Sequence, residues 1–500
     1  MRSQVAFDAD FESGSIGNVT LLDSVDFRIS ERESLLHLSY LVESRYDPVN
    51  PVDIDLQPSA RWFYFRMTGV KNKRIYLQFN NTDPLRAVYS YDNKIFTRFL
   101  DNEAERRRIS ALFRHDTVYV AYFTPYTNSF LENRISWWRR HKDVSVSTIG
   151  YSSNNRPIKM LTITDNSVRN DKKNKVWLHA RTHTSETPCS WQLDGLIESL
   201  LANNPDALAI RRATVFYIVP FANPDGVAEG LSRSNSTGVN QEINWDRDDY
   251  QTVAEVKALK KTIRELTADR PFDMFLNMHS QVANSSTYWV HTAQSTNERF
   301  LRRELLLCYL NMFNNSYLAP RELSFSDNAP RYPEGWIWSQ SGDKTLAITL
   351  ETPYSFFGAS NIWVTPDNLR DFGKATLNAI SAYLGITTPS CIIIDNDEAK
   401  TKGKWIKNSD DRFIYIGNNY LTPEKADSKI TYNFKKLPAG KYLIYRWKAG
   451  LNSETPTPDA NLWQQIGVYE KDKQSNFKYE LKSRAKNEIF DAIMLVKVDK

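Results

Sequence analysis

Val176-Trp-Leu-His-Ala-Arg-Thr-His-Thr-Ser-Glu-Thr-Pro-Cys-Ser-Trp191 is the stretch on which the reading of this chain turns. Val176 to Ala180 is short and apolar, the mark of a strand buried in a sheet. Thr187-Pro188 then reads as an N-cap followed by a proline at the first helical position. The helix continues through Trp191, Leu193, Leu196, Ile197, Leu200 and Leu201. Outward from it the alternation repeats. Thr214 to Val219, Met274-Phe275-Leu276 and Leu346 to Leu350 are further apolar runs. Val253, Val256, Leu259, Ile263 and Leu266 mark an amphipathic helix. A last helix opens at Thr365-Pro366, packs through Leu369, Phe372, Ile380, Tyr383 and Leu384, and stops at Gly385. Strands alternating with helices predict an α/β sheet with helices on its faces, over residues 141–386.

The flanks read differently. Residues 1–140 carry short aromatic and β-branched runs, Arg61 to Met67, Arg74 to Phe79 and Thr117 to Phe123, which predict an antiparallel β-sandwich. After Ile386 to Ser390, a linker, Ile392-Ile393-Ile394 and Lys441 to Trp447 predict a second sandwich over 390–500. A length of 500 residues with 41% hydrophobic and 25% charged residues fits roughly two to four globular domains. The 64 Lys+Arg against 59 Asp+Glu leave a net charge of only +5, no argument for nucleic acid binding. No apolar run is long enough to span a membrane, and MRSQVAFDADFESG shows no signal peptide. Cys189, Cys308 and Cys391 are too few and too scattered for a disulfide framework or a thiolate zinc site. Any metal must therefore be held by His and carboxylates.

Only seven histidines are available. His183 and Glu186 stand three apart just past a strand, where a loop of an α/β sheet opens on a cleft. Chance alone supplies such a pair about 0.4 times in a chain like this, so the pair is weak by itself. His279 ends another strand and can add a third ligand, leaving a tetrahedral zinc one open position. Glu351 ends a further strand, with no basic neighbour in sequence, and suits a general base. Each residue alone also reads as an ordinary hydrogen-bonded or capping group; their joint placement at strand ends carries the weight.

With those residues in view, the segment Ala180 to Trp191, Val219-Pro-Phe-Ala-Asn-Pro-Asp-Gly-Val227, Asn277-Met278-His279 and Thr349-Leu350-Glu351 resembles the zinc carboxypeptidase family. It is most similar to the cytosolic carboxypeptidase branch, whose N-terminal sandwich is matched by Phe7 to Gly14, Trp62 to Arg66 and Val118 to Tyr126. The resemblance implies a carboxypeptidase-like mixed sheet flanked by two sandwiches. It implies zinc at His183, Glu186 and His279, Glu351 as general base, and Arg233 as the group that holds the developing oxyanion. The family grips the substrate carboxylate with an adjacent Asn-Arg pair. Here Asn244 is followed by Trp245, and Arg247 lies between Asp246 and Asp248. Braced by those aspartates, Arg247 reaches the cleft; in an extended loop it lies on the outer face. Thr184-Ser185 stands where the branch usually has Pro-Gly, and Tyr332 and Tyr354 are the candidates for a substrate-side tyrosine.

The C-terminal segment resembles the golvesin or xanthan-lyase C-terminal module through Ile392 to Asp397, Gly403-Lys404-Trp405, Gly417 to Tyr420 and Leu437 to Tyr442. That resemblance implies export, secreted or periplasmic, with a cytoplasmic home as the alternative. It also implies carbohydrate contact through Trp405, Tyr420 and Trp447, although such aromatics are more often core. The expected activity is hydrolysis of C-terminal or side-chain peptide bonds on a peptide or protein substrate. The alternatives are a cell-wall or glutamate-branch amidase, and a binding protein that has lost catalysis.

Overall fold

The computed structural model describes residues 5–30, 34–283, 286–313, 323–357, 362–389, 391–410, 414–415, 419–447 and 463–498. Gly417 and Asn418, part of the C-terminal resemblance, lie outside them. The chain divides into two compact units. One comprises residues 1–286, 329–356 and 363–373, the other 287–328, 357–362 and 374–500.

In the first unit the N-terminal residues form two five-stranded sheets. Ala6–Asp8, Tyr64–Thr68, Thr117–Ala121, Val88–Ser90 and Thr97–Arg98 make one; Val19–Arg28, Ser34–Val42, Lys73–Phe79, Arg108–Leu112 and Ala104–Glu105 make the other. Alternation does the sorting: Ile75, Leu77 and Phe79 are buried while Gln78 between them is exposed. The sheets face each other through Phe7 on Tyr40 (4.9 Å) and Phe63 on Phe79 (4.5 Å). One pair departs from the antiparallel expectation, since Ser34–Val42 runs parallel to Lys73–Phe79.

The mixed sheet runs, within the first unit, in the order Val144–Tyr151, Pro157–Ile163, Thr214–Val219, Asn174–Ala180, Met274–Gln281, Leu346–Pro353. Thr214–Val219 and the three strands after it are parallel, and Val176, Trp177, Leu178, Leu276 and Ile348 are wholly buried. Continuous apolar strands need cover on both faces. On one face Val256, Leu259 and Ile263 of helix Ala254–Leu266 join Trp177, Trp245, Phe275 and Trp336. Each such aliphatic side chain, fully buried, contributes about 1.5–3 kcal/mol. Helix Thr187–Leu200 meets the chain at Arg370 so closely that a Cβ on Gly195 would lie 2.2 Å from the Arg370 carbonyl. Gly385, at φ +71°, ends helix Pro366–Tyr383 as its position foretells.

The second unit carries an antiparallel sheet, Cys391–Ile394, Ile493–Val498, Gly440–Trp447 and Trp463–Lys471, and smaller sheets around Lys429–Leu437. Its core holds Ile430, Tyr432, Phe434, Tyr442 and Leu495. The sugar-stacking expectation fails here for two of its three residues: Tyr420 and Trp447 are buried, Trp447 against Trp463 at 5.2 Å. The third, Trp405, sits edge-on to Phe490 at 5.3 Å and packs on the same core. No helix of the described residues is long and apolar enough to cross a membrane.

Candidate metal centre

Three parallel strands end at one edge. Across the pair Met274–Gln281 and Leu346–Pro353, His279 stands opposite Glu351; across the pair with Asn174–Ala180, His179 stands opposite Asn277. The chain leaves Ala180 through Arg181 in the left-handed region, φ +58°. Arg181 then clasps the loop it begins: its Nε and Nη2 donate to the Thr184 carbonyl (3.1 and 2.6 Å) and its Nη1 to the Tyr126 carbonyl (3.0 Å). Helix Thr187–Leu200 starts one residue earlier than expected, with Glu186, not Thr187, at the cap position. The Glu186 carboxylate makes no cap hydrogen bond. It is turned instead toward two imidazoles.

His183 Nδ1 lies 2.8 Å from Glu186 Oε1, and His279 Nδ1 lies 2.8 Å from Glu186 Oε2. One ligand atom from each of these three buried residues falls within 4.8 Å of the others. The far side of each ring decides its tautomer. His183 Nε2 faces Asn240 Oδ1 at 3.0 Å, and that oxygen also accepts from the Glu242 backbone N–H, so it is an acceptor and Nε2 carries the hydrogen. His279 Nε2 faces Glu242 Oε2 at 3.1 Å and carries its hydrogen for the same reason. With Nε2 as the donor on the far side, the Nδ1 of each ring is turned toward Glu186 and offers its lone pair to a metal when the ring is neutral. Two imidazole nitrogens and a carboxylate, with no thiolate, are a zinc donor set, and ligand histidines steered by an amide and a carboxylate behind them are its usual support.

The charges agree. Burial favours a neutral His279, but the Glu242 and Glu186 carboxylates override it and hold the imidazole well above its ordinary pKa. Burial likewise opposes ionisation of Glu186, yet His183 and His279 hold its pKa well below the usual range. The pocket is built for positive charge between these groups. Glu351, by contrast, is pushed up to about 7, first by burial and then by the Glu186 carboxylate. Its Oε2 is buried without a hydrogen-bond partner among the described residues. A carboxylate that readily holds and releases a proton near neutrality, with one oxygen unengaged, has the properties of a general base.

Arg233 has an exposed side chain whose charge acts on both His183 and Glu351. Of the two candidate tyrosines, Tyr354 is the one brought in: it is buried, and its hydroxyl lies 3.5 Å from Ser185 Oγ beside Glu186. Tyr332 starts helix Pro333–Ser341 and contacts Arg331. The expected carboxylate clamp takes the outer-face form. Asn244 is buried with Oδ1 accepting from the Val253 N–H (3.2 Å), at the start of helix Ala254–Leu266. Trp245 is core, 5.5 Å from Trp336. Arg247 is exposed, its carbonyl receives Lys260 Nζ (2.7 Å), and it makes no ion pair among the described residues, so the bracing by Asp246 and Asp248 does not form.

Three contributors escaped the sequence reading. Asn240 and Glu242 flank Gln241 in a single short 3-10 turn that has no periodic signature. Arg61 comes from the N-terminal sandwich, half-buried, with its charge within the fields of Tyr354 and Glu186. Burial works against its charge, and those neighbours more than restore it.

Residues 136–365 match the family model described as zinc carboxypeptidase. Human cytosolic carboxypeptidase 1 is 27% identical over 308 residues, covering 48% of this chain and 25% of that protein. Mouse cytosolic carboxypeptidase 6 is 24% identical over 418 residues, covering 77% of this chain and 73% of the relative. The chain thus spans about a quarter of the first of these relatives. Among solved structures, a metallo-carboxypeptidase from Burkholderia cenocepacia superposes with a TM-score of 0.62 at 22% identity, over 76% of this chain and 99% of that one. At that identity the likeness speaks for the fold. The compartment in the two relatives' names is cytosolic, which gives the expectation of export no support.

Proposed function

We propose, from the match of residues 136–365 to the zinc carboxypeptidase family model, that the protein is a zinc-dependent carboxypeptidase hydrolysing the terminal amide bond of a peptide chain. The observation that carries this reading is the convergence of His183 Nδ1, His279 Nδ1 and Glu186 on one point, with the unengaged Glu351 carboxylate on the neighbouring strand. When bound there, zinc supplies Lewis acidity to water and to the scissile carbonyl.

The chain's own groups do the rest. Glu351 takes a proton from the attacking water and delivers it to the leaving amine nitrogen, which suits a carboxyl group titrating near neutrality. Arg233 adds positive charge where the carbonyl oxygen becomes negative. Asn240 and Glu242 keep the two ligand rings in the tautomer that presents Nδ1. For the substrate's free carboxylate the group we favour is Arg61, a guanidinium beside Tyr354 that makes no ion pair with a carboxylate among the described residues. The relatives' names and three free, buried cysteines fit a cytoplasmic home.

The test is metal content by elemental analysis together with hydrolysis of matched peptides bearing free and amidated C-termini. Stoichiometric zinc with preference for the free acid supports the reading. Equal cleavage of both peptides moves the protein to the side-chain or cell-wall amidase alternative, and zinc binding without hydrolysis of any peptide moves it to the binding-protein alternative.

A further inference from the structure

Arg233 is held by a residue of the N-terminal sandwich. Asp47 is buried, and its carboxylate accepts three consecutive backbone N–H groups: Ser232 to Oδ1 at 2.7 Å, then Arg233 and Ser234 to Oδ2 at 2.7 and 2.9 Å. Successive N–H groups converging on one anion form a nest, a geometry that fixes the backbone of all the residues in it. The same loop is gripped at other points. The Trp62 N–H donates to Ser232 Oγ at 2.9 Å, and the Ser185 N–H to the Ser232 carbonyl at 2.9 Å. Gly238, at φ +83°, comes so close to the sandwich that a Cβ there would lie 2.4 Å from the Val49 carbonyl. The loop is therefore confined between the turn carrying His183 and Glu186 and the sandwich segment 47–62. Asp47 is itself anchored, its N–H bonded to the Ser59 carbonyl at 2.8 Å.

We propose that Asp47 is the positioning residue for Arg233, so that the N-terminal sandwich completes the active site. A long side chain whose tip is exposed has many rotamers, and its backbone is the part the protein can fix. With three N–H groups locked on Asp47, the backbone from which the Arg233 side chain springs is fixed, and the charge at its tip acts on His183 and Glu351. The inference rests on Arg233 acting on the developing oxyanion, and the experiment separates the two ideas.

The experiment is a double-mutant cycle on the zinc-loaded enzyme with Asp47→Asn and Arg233→Ala, read as kcat and KM on a free-acid peptide. Asp47→Asn keeps the shape and one carbonyl acceptor but loses the second anionic oxygen. The expected result is a fall in kcat of at least about 10-fold with KM and zinc content little changed, against about 10²–10³-fold for Arg233→Ala. In the Arg233→Ala background the Asp47 substitution should then cost less than about 2-fold, because its effect passes through a side chain no longer present. Equal losses in both backgrounds overturn the proposal and leave Asp47 a domain anchor. An Arg233→Ala enzyme with unchanged kcat overturns both the oxyanion role and the positioning role. If Asp47→Asn does not fold, Asp47→Glu, which keeps the charge but shifts the carboxylate, takes its place in the same cycle with the same criteria.

Discussion

Replacing Arg61 by Ala should remove the enzyme's preference for a free C-terminal carboxylate, whereas replacing Arg247 should leave it in place. Arg61 is half-buried, lies within the fields of Tyr354 and Glu186, and has no carboxylate partner among the described residues, so its donors are not already committed to an ion pair. A hydrogen bond to a charged group contributes about 1.5–3 kcal/mol. Lost from the bound free acid but not from the bound amide, that is roughly a 10- to 150-fold change in the ratio of their kcat/KM values. Arg247 is exposed, and screened surface charges contribute about 0–1 kcal/mol, so Arg247→Ala should change the ratio by less than about 5-fold. The assay is kcat/KM for parent, Arg61→Ala and Arg247→Ala on one peptide sequence with free and amidated ends, after zinc content has been matched. Matching matters because Arg61 lies in the field of the ligand Glu186. An Arg61→Ala enzyme that keeps the full free-acid preference refutes the assignment. A collapse of the preference in Arg247→Ala would return the clamp to the outer loop.

His279→Ala should abolish stoichiometric zinc, and Glu242→Gln, which leaves the ring facing an amide, should weaken zinc affinity by about 10- to 100-fold in a chelator competition. Unchanged affinity in Glu242→Gln would detach that carboxylate from the centre. Glu351→Gln should keep its zinc and lose at least about 10²-fold in kcat; a fully active variant would move the base elsewhere. In the second unit Asp491 is buried, and burial followed by the neighbouring Asp395 carboxyl group pushes it up to about 10. A carboxyl group raised in the folded state stabilises fully below its unfolded pKa of about 4 and loses that contribution as pH climbs toward 10. The unfolding midpoint of this unit should therefore fall with rising pH across that window, and Asp491→Asn should flatten the slope; an unaltered slope would clear the pair of that role.

The parts of this site that could be read in the sequence are those that local rules place. A strand end followed by a Pro-marked helix start put His183 and Glu186 at the edge of a sheet, and two further apolar runs put His279 and Glu351 at the same edge. Buried parallel strands must align their ends, so sequence position there translates into spatial position. The single-residue error at Thr187 has a physical cause: the carboxylate at the cap position is drawn to two imidazoles rather than to the helix N–H groups. The region from Asn240 to Arg247 was misread for a different reason. Trp245 was weighed as an interruption of a clamp, yet its burial against Trp336 and Phe275 fixes that loop, and Asn244 is used up at a helix start. With Trp245 pinned in the core, the short turn before it sends Asn240 and Glu242 to the histidines and leaves Arg247 outside. Asp47 and Arg61 were beyond any local rule. Their partners at Ser232 to Ser234 and at Tyr354 are far away in sequence, and each would pass for a surface loop residue in its own segment. Loop closure over such separations is set by the packing of whole elements, and the sandwich that carries both residues is folded against the catalytic loops by contacts such as Trp62 on Ser232. The residues that local rules place at strand ends were thus legible, whereas Asp47 and Arg61, proposed to position Arg233 and to hold the substrate carboxylate, come from the N-terminal sandwich and meet their partners only when the chain is folded.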